Sequence, residues 1–144
     1  MLYGFIVGHG SFPSGLKSAL ELITGPNPNL MSMDTEGDEN LREYRRRIQG
    51  KLEHIDPDKL ILFTDLLGGS PYQNALVALE EMGLTDVPVF SGANLPMMVA
   101  FWEENVRDSQ RKEAVFAIDR AGQTSMSRTT LAELSELWLK ETEE

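Results

Sequence analysis

Near its beginning the chain carries the stretch Leu2-Tyr3-Gly4-Phe5-Ile6-Val7-Gly8-His9-Gly10. Its apolar part is short and typical of a buried strand, and the residues that follow indicate the start of a helix. A strand that ends in this way delivers one imidazole, His9, to the carboxyl edge of a sheet. The glycine on each side leaves the backbone open to a ligand. The other histidine, His54, stands in a polar helix end, so imidazole chemistry is predicted at His9.

Strand-like and helix-like segments alternate outward from this stretch. The predicted strands are Leu2–Val7, Asn29–Met33, Lys59–Thr64, Val87–Ser91 and Ala114–Ile118. The predicted helices run from about Ser14 to Thr24, from about Glu39 to Glu53 and from about Pro71 to Met82, and two more begin near Leu95 and Thr130. Short connections between such segments predict an α/β fold, with an open, mostly parallel sheet of core order 2-1-3-4 and helices on both faces. We expect one domain over 1–144, with a core of about 1–106 and an appended strand and helix over about 107–144.

Composition limits the class of protein. The 144 residues suffice for one core of ordinary size, and 41% hydrophobic with 25% charged residues is typical of a globular domain. A net charge of −10 argues against a nucleic acid partner, which needs a basic face. The lack of cysteine excludes disulfides and thiolate metal sites. No apolar run reaches the roughly 18 residues that cross a bilayer, so we expect a cytoplasmic protein with no metal or cofactor.

Two polar side chains are expected to meet at the carboxyl edge of this sheet. In open α/β sheets, ligands bind beyond the carboxyl ends of the strands, where the strand order reverses. With the order 2-1-3-4, the first and third strands are neighbours, and these are followed by His9 and Asp65. A carboxylate beside an imidazole binds one ring N–H, sets the tautomer and leaves the other nitrogen as a nucleophile. His9 and Asp65 are therefore the candidate catalytic pair.

The residues around this pair suit an anion. Gly68-Gly69-Ser70-Pro71 combines two glycines, a hydroxyl and a predicted helix N-terminus, where N–H groups and the helix dipole favour negative charge. Gly10-Ser11 offers a second set of donors at the start of the first helix. Each feature alone has a plainer explanation, since Asp before a glycine pair is a common turn former. Together they predict a phosphohistidine site, with phosphate bound by Gly10, Ser11, Gly69 and Ser70.

Three motifs stand in order along the chain: Ile6-Val7-Gly8-His9-Gly10, then Phe63-Thr64-Asp65-Leu66-Leu67-Gly68-Gly69-Ser70-Pro71, then Ser91-Gly92-Ala93-Asn94-Leu95-Pro96-Met97. Over residues 1 to about 120 the chain resembles the mannose-type IIA component of the bacterial phosphoenolpyruvate-dependent sugar phosphotransferase system. The resemblance implies that His9 is the phosphorylated residue, Asp65 its partner and Ser70 the serine of the motif. The opening motif is similar to the amino-sugar branch, such as N-acetylgalactosamine transporters.

The resemblance also implies an activity and partners. The chain would be a phosphotransferase that takes a phosphoryl group from the small carrier HPr and passes it to a IIB component for sugar uptake. It would serve the IIC and IID membrane subunits only indirectly. It would form a homodimer in which a fifth strand, Val115–Ile118, crosses to the other subunit.

Other functions fit the motifs less well. A hydrolase with Ser70 as nucleophile and His9 as base lacks the Gly-x-Ser-x-Gly motif, because Tyr72 stands at the second glycine position. A phosphomutase-like enzyme needs several arginines around the phosphate, and none stands near His9 or Asp65 in the sequence. A regulatory α/β module with the same fold remains an alternative. Two distant histidines without cysteine make no recognisable metal ligand set.

Overall fold

The structure of the chain is a computed structural model that describes residues 1–143. Its centre is a four-stranded sheet in the order β2-β1-β3-β4, and all three pairings are parallel. The strands are β1 (Tyr3–Val7), β2 (Leu30–Met33), β3 (Leu60–Thr64) and β4 (Val89–Phe90). The predicted strand order and direction are confirmed. The fourth strand is shorter than predicted, because Pro88 cannot donate a ladder hydrogen bond.

Helices cover both faces of the sheet, as predicted. They are α1 (Phe12–Thr24), α2 (Leu41–Leu52), α3 (Ser70–Glu81), α4 (Leu95–Val106), α5 (Arg111–Gln123) and α6 (Leu131–Glu143), and a short 3-10 turn (Pro57–Lys59) leads into β3. Helices α1, α4 and α5 contribute to the core on one face, and α2 and α3 to the core on the other. Within the described residues, no helix has both the length and the apolar character to cross a membrane.

Strand β3 shows how the sequence builds both cores. All five of its residues are buried, and successive side chains alternate between the faces. Ile61 and Phe63 pack in the core with α1, α4 and α5, whereas Leu60 and Leu62 pack with α2 and α3. Burying a side chain of this size contributes roughly 1.5–3 kcal/mol. The sheet is therefore packed on both faces, and its strand ends set the positions of the residues that follow them.

The predicted fifth strand is wrong. Val115–Ile118 lies inside α5, where Ala114 and Ile118 are buried in the core that α4 shares and Phe116 is 66% exposed. The two buried residues are four apart, which is the helical period, and a four-residue apolar run cannot separate helix from strand by itself. Exchange of this segment between two subunits stays a prediction.

The last helix begins where the sequence predicts. The Glu133 backbone N–H donates to Thr130 Oγ1 over 3.2 Å, as expected of a capping box. Every residue from 123 to 141 is exposed, including Leu131, Leu134 and Leu137. Helix α6 thus presents apolar side chains that its own chain leaves in solvent.

Candidate functional site

His9 and Asp65 meet at the carboxyl edge of the sheet, where sequence reasoning placed them. Val7 and Thr64, the last residues of β1 and β3, are partners in register, so the residues just beyond them lie side by side. The His9 backbone N–H donates to Asp65 Oδ2 over 2.7 Å, and His9 Nδ1 lies 2.8 Å from the same oxygen. His54 lies on an exposed turn, where its Nε2 is 3.3 Å from Oε1 of its neighbour Glu53.

The environment keeps Asp65 ionised. Its side chain is 13% exposed, and that burial would raise its pKa. The backbone N–H of His9, the His9 ring and the backbone N–H of Leu66 outweigh burial and hold the pKa of Asp65 below its ordinary value. An ionised carboxylate only accepts hydrogen bonds, so Nδ1 of a neutral His9 carries the ring proton and donates it. The other ring nitrogen, Nε2, then keeps its lone pair on a side chain that is 54% exposed.

Two glycines allow the close approach of these groups. A Cβ on Gly8 would lie 2.9 Å from Asp65 Cγ and 3.0 Å from its Oδ2. A Cβ on Gly69 would lie 3.0 Å from His9 Cε1, so the imidazole rests against the residue that precedes α3. Side chains at these positions would displace the carboxylate or the ring. Gly8 and Gly69 are therefore needed for the close contact between His9 and Asp65 and for the position of the imidazole.

The N-terminus of α3 has hydrogen-bond donors that could bind an anion. The helix begins at Ser70, and the N–H groups of a first helical turn have no partner within the helix. Asn74 Nδ2 donates to the Ser70 carbonyl over 2.8 Å and to Ser70 Oγ over 3.2 Å, and Arg45 Nη1 donates to Asn74 Oδ1 over 3.3 Å. Because Ser70 Oγ accepts from Asn74, its own proton can be donated to a ligand. Arg45, distant in sequence, is thereby linked to the site.

The start of α1 already carries a negative charge. Asp34 Oδ1 accepts the Ser14 backbone N–H over 2.9 Å, and its Oδ2 accepts the Ser14 hydroxyl over 2.7 Å. Gly10 and Ser11 lie exposed just before this helix, and the Gly10 carbonyl accepts from the Thr35 N–H. The carboxylate at the first turn makes this end of the site less favourable for an anion than the start of α3.

A cavity of about 150 Å³ lies beside His9 and Ser70. Its lining includes Thr35, Glu39 and Tyr44. Thr35 Oγ1 donates to the Gly8 carbonyl over 2.6 Å, and Tyr44 is 1% exposed. The cavity is therefore bounded by His9, by residues of the loop after β2 and by the start of α2.

Sequence reasoning missed three residues of this neighbourhood. Tyr44 lies on the apolar stripe of α2 and packs in the core, a position that gives no sequence signal for a site residue, yet it also lines the cavity. Thr35 follows β2, which is the neighbour of β1, so its position beyond a strand end was a usable signal. Asn74 stands four residues after Ser70, a spacing that brings side chains together on a helix.

A comparison with known protein families shows which family this chain belongs to. A family model, EIIA-man, described as "PTS system fructose IIA component", matches residues 5–118. The chain belongs to this family. It is a IIA component of a sugar phosphotransferase system, and such components transfer phosphoryl groups. The matched range contains His9, Asp65 and Ser70, and the resemblance to the mannose-type IIA family is confirmed.

Two curated relatives agree with this assignment. The chain is 30% identical over 100 residues to the PTS system fructose-specific EIIA component of Bacillus subtilis (strain 168), covering 69% of this chain and 67% of the relative. It is 29% identical over 124 residues to the PTS system sorbose-specific EIIA component of Lacticaseibacillus casei, covering 85% and 88%. The similarity to the amino-sugar branch stays a prediction.

Solved structures have the same fold. A phosphotransferase system component EIIA from Streptococcus agalactiae superposes with a TM-score of 0.79 at 24% identity, covering 89% of this chain and 97% of that one. The PTS IIA protein associated with the fucose utilization operon of Streptococcus pneumoniae gives a TM-score of 0.72 at 25% identity, covering 89% and 96%. The α/β architecture of this chain is thus that of IIA proteins along most of its length.

Proposed function

We propose that this IIA component is a phosphocarrier in which His9 accepts a phosphoryl group from phospho-HPr and passes it to a IIB component for sugar uptake. The observation that carries the proposal is the 2.8 Å contact between His9 Nδ1 and Asp65 Oδ2, which leaves Nε2 as the nucleophile. As the P–Nε2 bond forms, the bond between phosphorus and HPr breaks and HPr keeps its electron pair. In the second transfer Nε2 is the leaving group.

Asp65 would act by charge and orientation. When Nε2 attacks phosphorus, positive charge develops on the imidazole, and an ionised carboxylate at Nδ1 stabilises it. The contact with the His9 backbone N–H ties the same oxygen to the end of β1, so the carboxylate does not have to reorganise during transfer. Asp65 itself is not the acceptor.

The phosphoryl group would be bound chiefly at the start of α3. Gly69 and Ser70 supply a position next to the ring, first-turn N–H groups and the Ser70 hydroxyl. Gly10 and Ser11 would contribute donors from the other side, in the weaker field left by Asp34. No step of this transfer calls for a metal or a cofactor.

The partner proteins would dock around His9. Leu66 and Leu67 are exposed beside Asp65, and apolar side chains of this kind occupy the centre of protein interfaces. HPr and the IIB component must both reach the same imidazole, so they would bind in turn rather than together. The IIC and IID membrane subunits would be served only indirectly, because IIB passes the phosphoryl group on to the sugar.

A cytoplasmic homodimer would complete the assembly. The segment over about 107–144 would mediate it, since the exposed leucines of α6 and Phe116 of α5 would be buried between two copies. A twofold interface would use the same surface on both subunits.

The proposal is tested by incubating the chain with phosphoenolpyruvate, Enzyme I and HPr. One acid-labile, base-stable phosphoryl group is expected per chain. His9→Ala should abolish it, and the matched control His54→Ala should leave it intact. Phosphorylation that persists in His9→Ala would refute the proposal.

A further inference from the structure

The peptide unit between Gly8 and His9 is bonded on both sides. Its N–H, which belongs to His9, donates to Asp65 Oδ2 over 2.7 Å. Its carbonyl, which belongs to Gly8, accepts the Thr35 hydroxyl over 2.6 Å. The N–H and the C=O of a trans peptide point in opposite directions, and β1 lies between β2 and β3 in the sheet. Asp65 follows β3 and Thr35 follows β2, so their side chains continue the hydrogen bonding of the sheet beyond its strand ends.

Thr35 also binds the residue on the other side of His9. Its backbone N–H donates to the Gly10 carbonyl over 3.1 Å, and Thr35 and Gly10 form an isolated antiparallel bridge. Gly10 has a φ of +54°, in the left-handed region that glycine adopts readily. A glycine on each side gives the backbone around His9 more conformational freedom than other residues would, and this freedom must be lost when the site is ordered. The two hydrogen bonds from Thr35 restrict it.

Thr35 has a fixed position of its own. It follows Asp34, whose carboxylate accepts the Ser14 backbone N–H over 2.9 Å and the Ser14 hydroxyl over 2.7 Å. Asp34 in turn follows Met33, the last residue of β2. The side chain of Thr35 is half-buried and lines the same cavity as His9. Thr35 is therefore held between a strand end and a helix start, and it contacts the backbone on both sides of His9.

We propose that Thr35 is a positioning residue for phosphoryl transfer, whose hydroxyl and N–H fix the backbone of His9 so that Asp65 can bind both the His9 N–H and the ring. Hydrogen bonds at the two ends of one peptide unit polarise one another, so the bond from Thr35 strengthens the donor that Asp65 accepts. This inference rests on the proposed function, because His9 is the residue proposed to carry phosphorus. It assigns to the loop after β2 a part in the reaction that the three sequence motifs do not contain.

The test compares two substitutions of Thr35 that differ in the hydroxyl. Thr35→Val keeps the shape of the side chain but leaves the Gly8 carbonyl without its donor, whereas Thr35→Ser keeps the hydroxyl. Transfer from phospho-HPr should be roughly tenfold slower in Thr35→Val and within about twofold of wild type in Thr35→Ser. The matched control is Thr24→Val, which removes a hydroxyl that donates to backbone carbonyls at the end of α1. This control should transfer normally.

A spectroscopic measurement separates positioning from a general loss of stability. In ¹⁵N-labelled, unphosphorylated protein, the His9 backbone amide proton should move upfield in Thr35→Val, because its bond to Asp65 lengthens. The His9 ring nitrogen signals should move toward a mixed tautomer in the same variant. Thr35→Ser and Thr24→Val should keep the wild-type signals. Thr35→Ala also lacks the hydroxyl and should match Thr35→Val, so it takes the place of that variant if the valine chain does not fold.

Equal rates and equal His9 signals in Thr35→Val and Thr35→Ser would overturn the inference. So would a slow Thr35→Val that keeps the wild-type His9 signals, because Thr35 would then act by another route. The spectra need no phosphoryl donor, so they decide the positioning role by themselves. If the His9 signals move as expected but the wild-type chain takes nothing from phospho-HPr, the proposed function alone is refuted.

Discussion

One oxygen of Asp65 binds both the backbone and the ring of His9. Oδ2 accepts the His9 N–H over 2.7 Å and lies 2.8 Å from Nδ1, joining residues that are 56 positions apart in the chain. Rotation of the ring would break a charge-assisted hydrogen bond. The direction of Nε2 is therefore set before a phosphoryl donor arrives, which lowers the entropic cost of reaching the transition state.

Removing the charge of Asp65 should slow transfer without unfolding the protein. Asp65→Asn keeps the shape of the side chain but cannot stabilise a positive imidazole, so the rate from phospho-HPr should fall on the order of 100-fold or more. Rapid-quench kinetics measure the change. Asp86→Asn, an exposed site at the other end of the sheet, is the control. Equal rates in both variants would refute the role of Asp65.

The stability of the protein should depend on Asp65 in acid. Its pKa is lower in the folded chain than its unfolded value of about 3.9, because hydrogen bonds from His9 outweigh burial. A lowered pKa stabilises the fold above the unfolded pKa, and this contribution is lost as the pH falls through the folded pKa. In urea titrations, the excess stability of wild type over Asp65→Asn should shrink as the pH falls from about 5 to about 3. A gap that widens in acid would contradict the pKa direction.

Gly8 should be intolerant of even a methyl group. In Gly8→Ala the new Cβ meets the Asp65 carboxylate at 2.9–3.0 Å, which should displace it from His9 and reduce the phosphorylation rate at least tenfold, about 1.4 kcal/mol of barrier. Gly15→Ala is the matched control, since its Cβ meets nothing within 4 Å on α1. That variant should transfer normally and gain about 0.5–1 kcal/mol of stability. Normal transfer by Gly8→Ala would argue against the tight contact.

Much of the fold could be predicted because the strands carry strong local signals. The runs before His9 and Asp65 are continuous, apolar and bounded by glycine or polar residues, as buried parallel strands are. His9 and Asp65 follow these two strands, and they lie side by side because β1 and β3 are neighbours in the sheet. The pair at the centre of the site was therefore predictable from strand ends alone.

The helical state of Val115–Ile118 and several residues around His9 could not be predicted, because they depend on contacts that no local sequence pattern encodes. Val115–Ile118 has the residues of a strand, but packing of Ala114 and Ile118 in the core with α4 selects a helix. Tyr44 lines the cavity together with residues of the loop after β2. Arg45 joins the site through Asn74 on another helix. Such links arise from tertiary packing.

Helix α6 should be needed for association and not for folding. Residues 125–141 are exposed, so a chain that ends at residue 124 keeps both cores and should melt at the temperature of the full chain. Light scattering should give a dimer for the full chain and a monomer for the shortened one. A full chain that is monomeric at micromolar concentration would refute the dimer.

The role of His9 is tested most directly by identifying the atom that carries phosphorus. The chain labelled with ¹⁵N in histidine is phosphorylated by phospho-HPr, and long-range ¹H–¹⁵N spectra with phosphorus coupling are recorded. We expect phosphorus on Nε2 of His9, with the proton retained on Nδ1 beside Asp65. Phosphorus on Nδ1 of His9, or on His54 or Ser70, would contradict it.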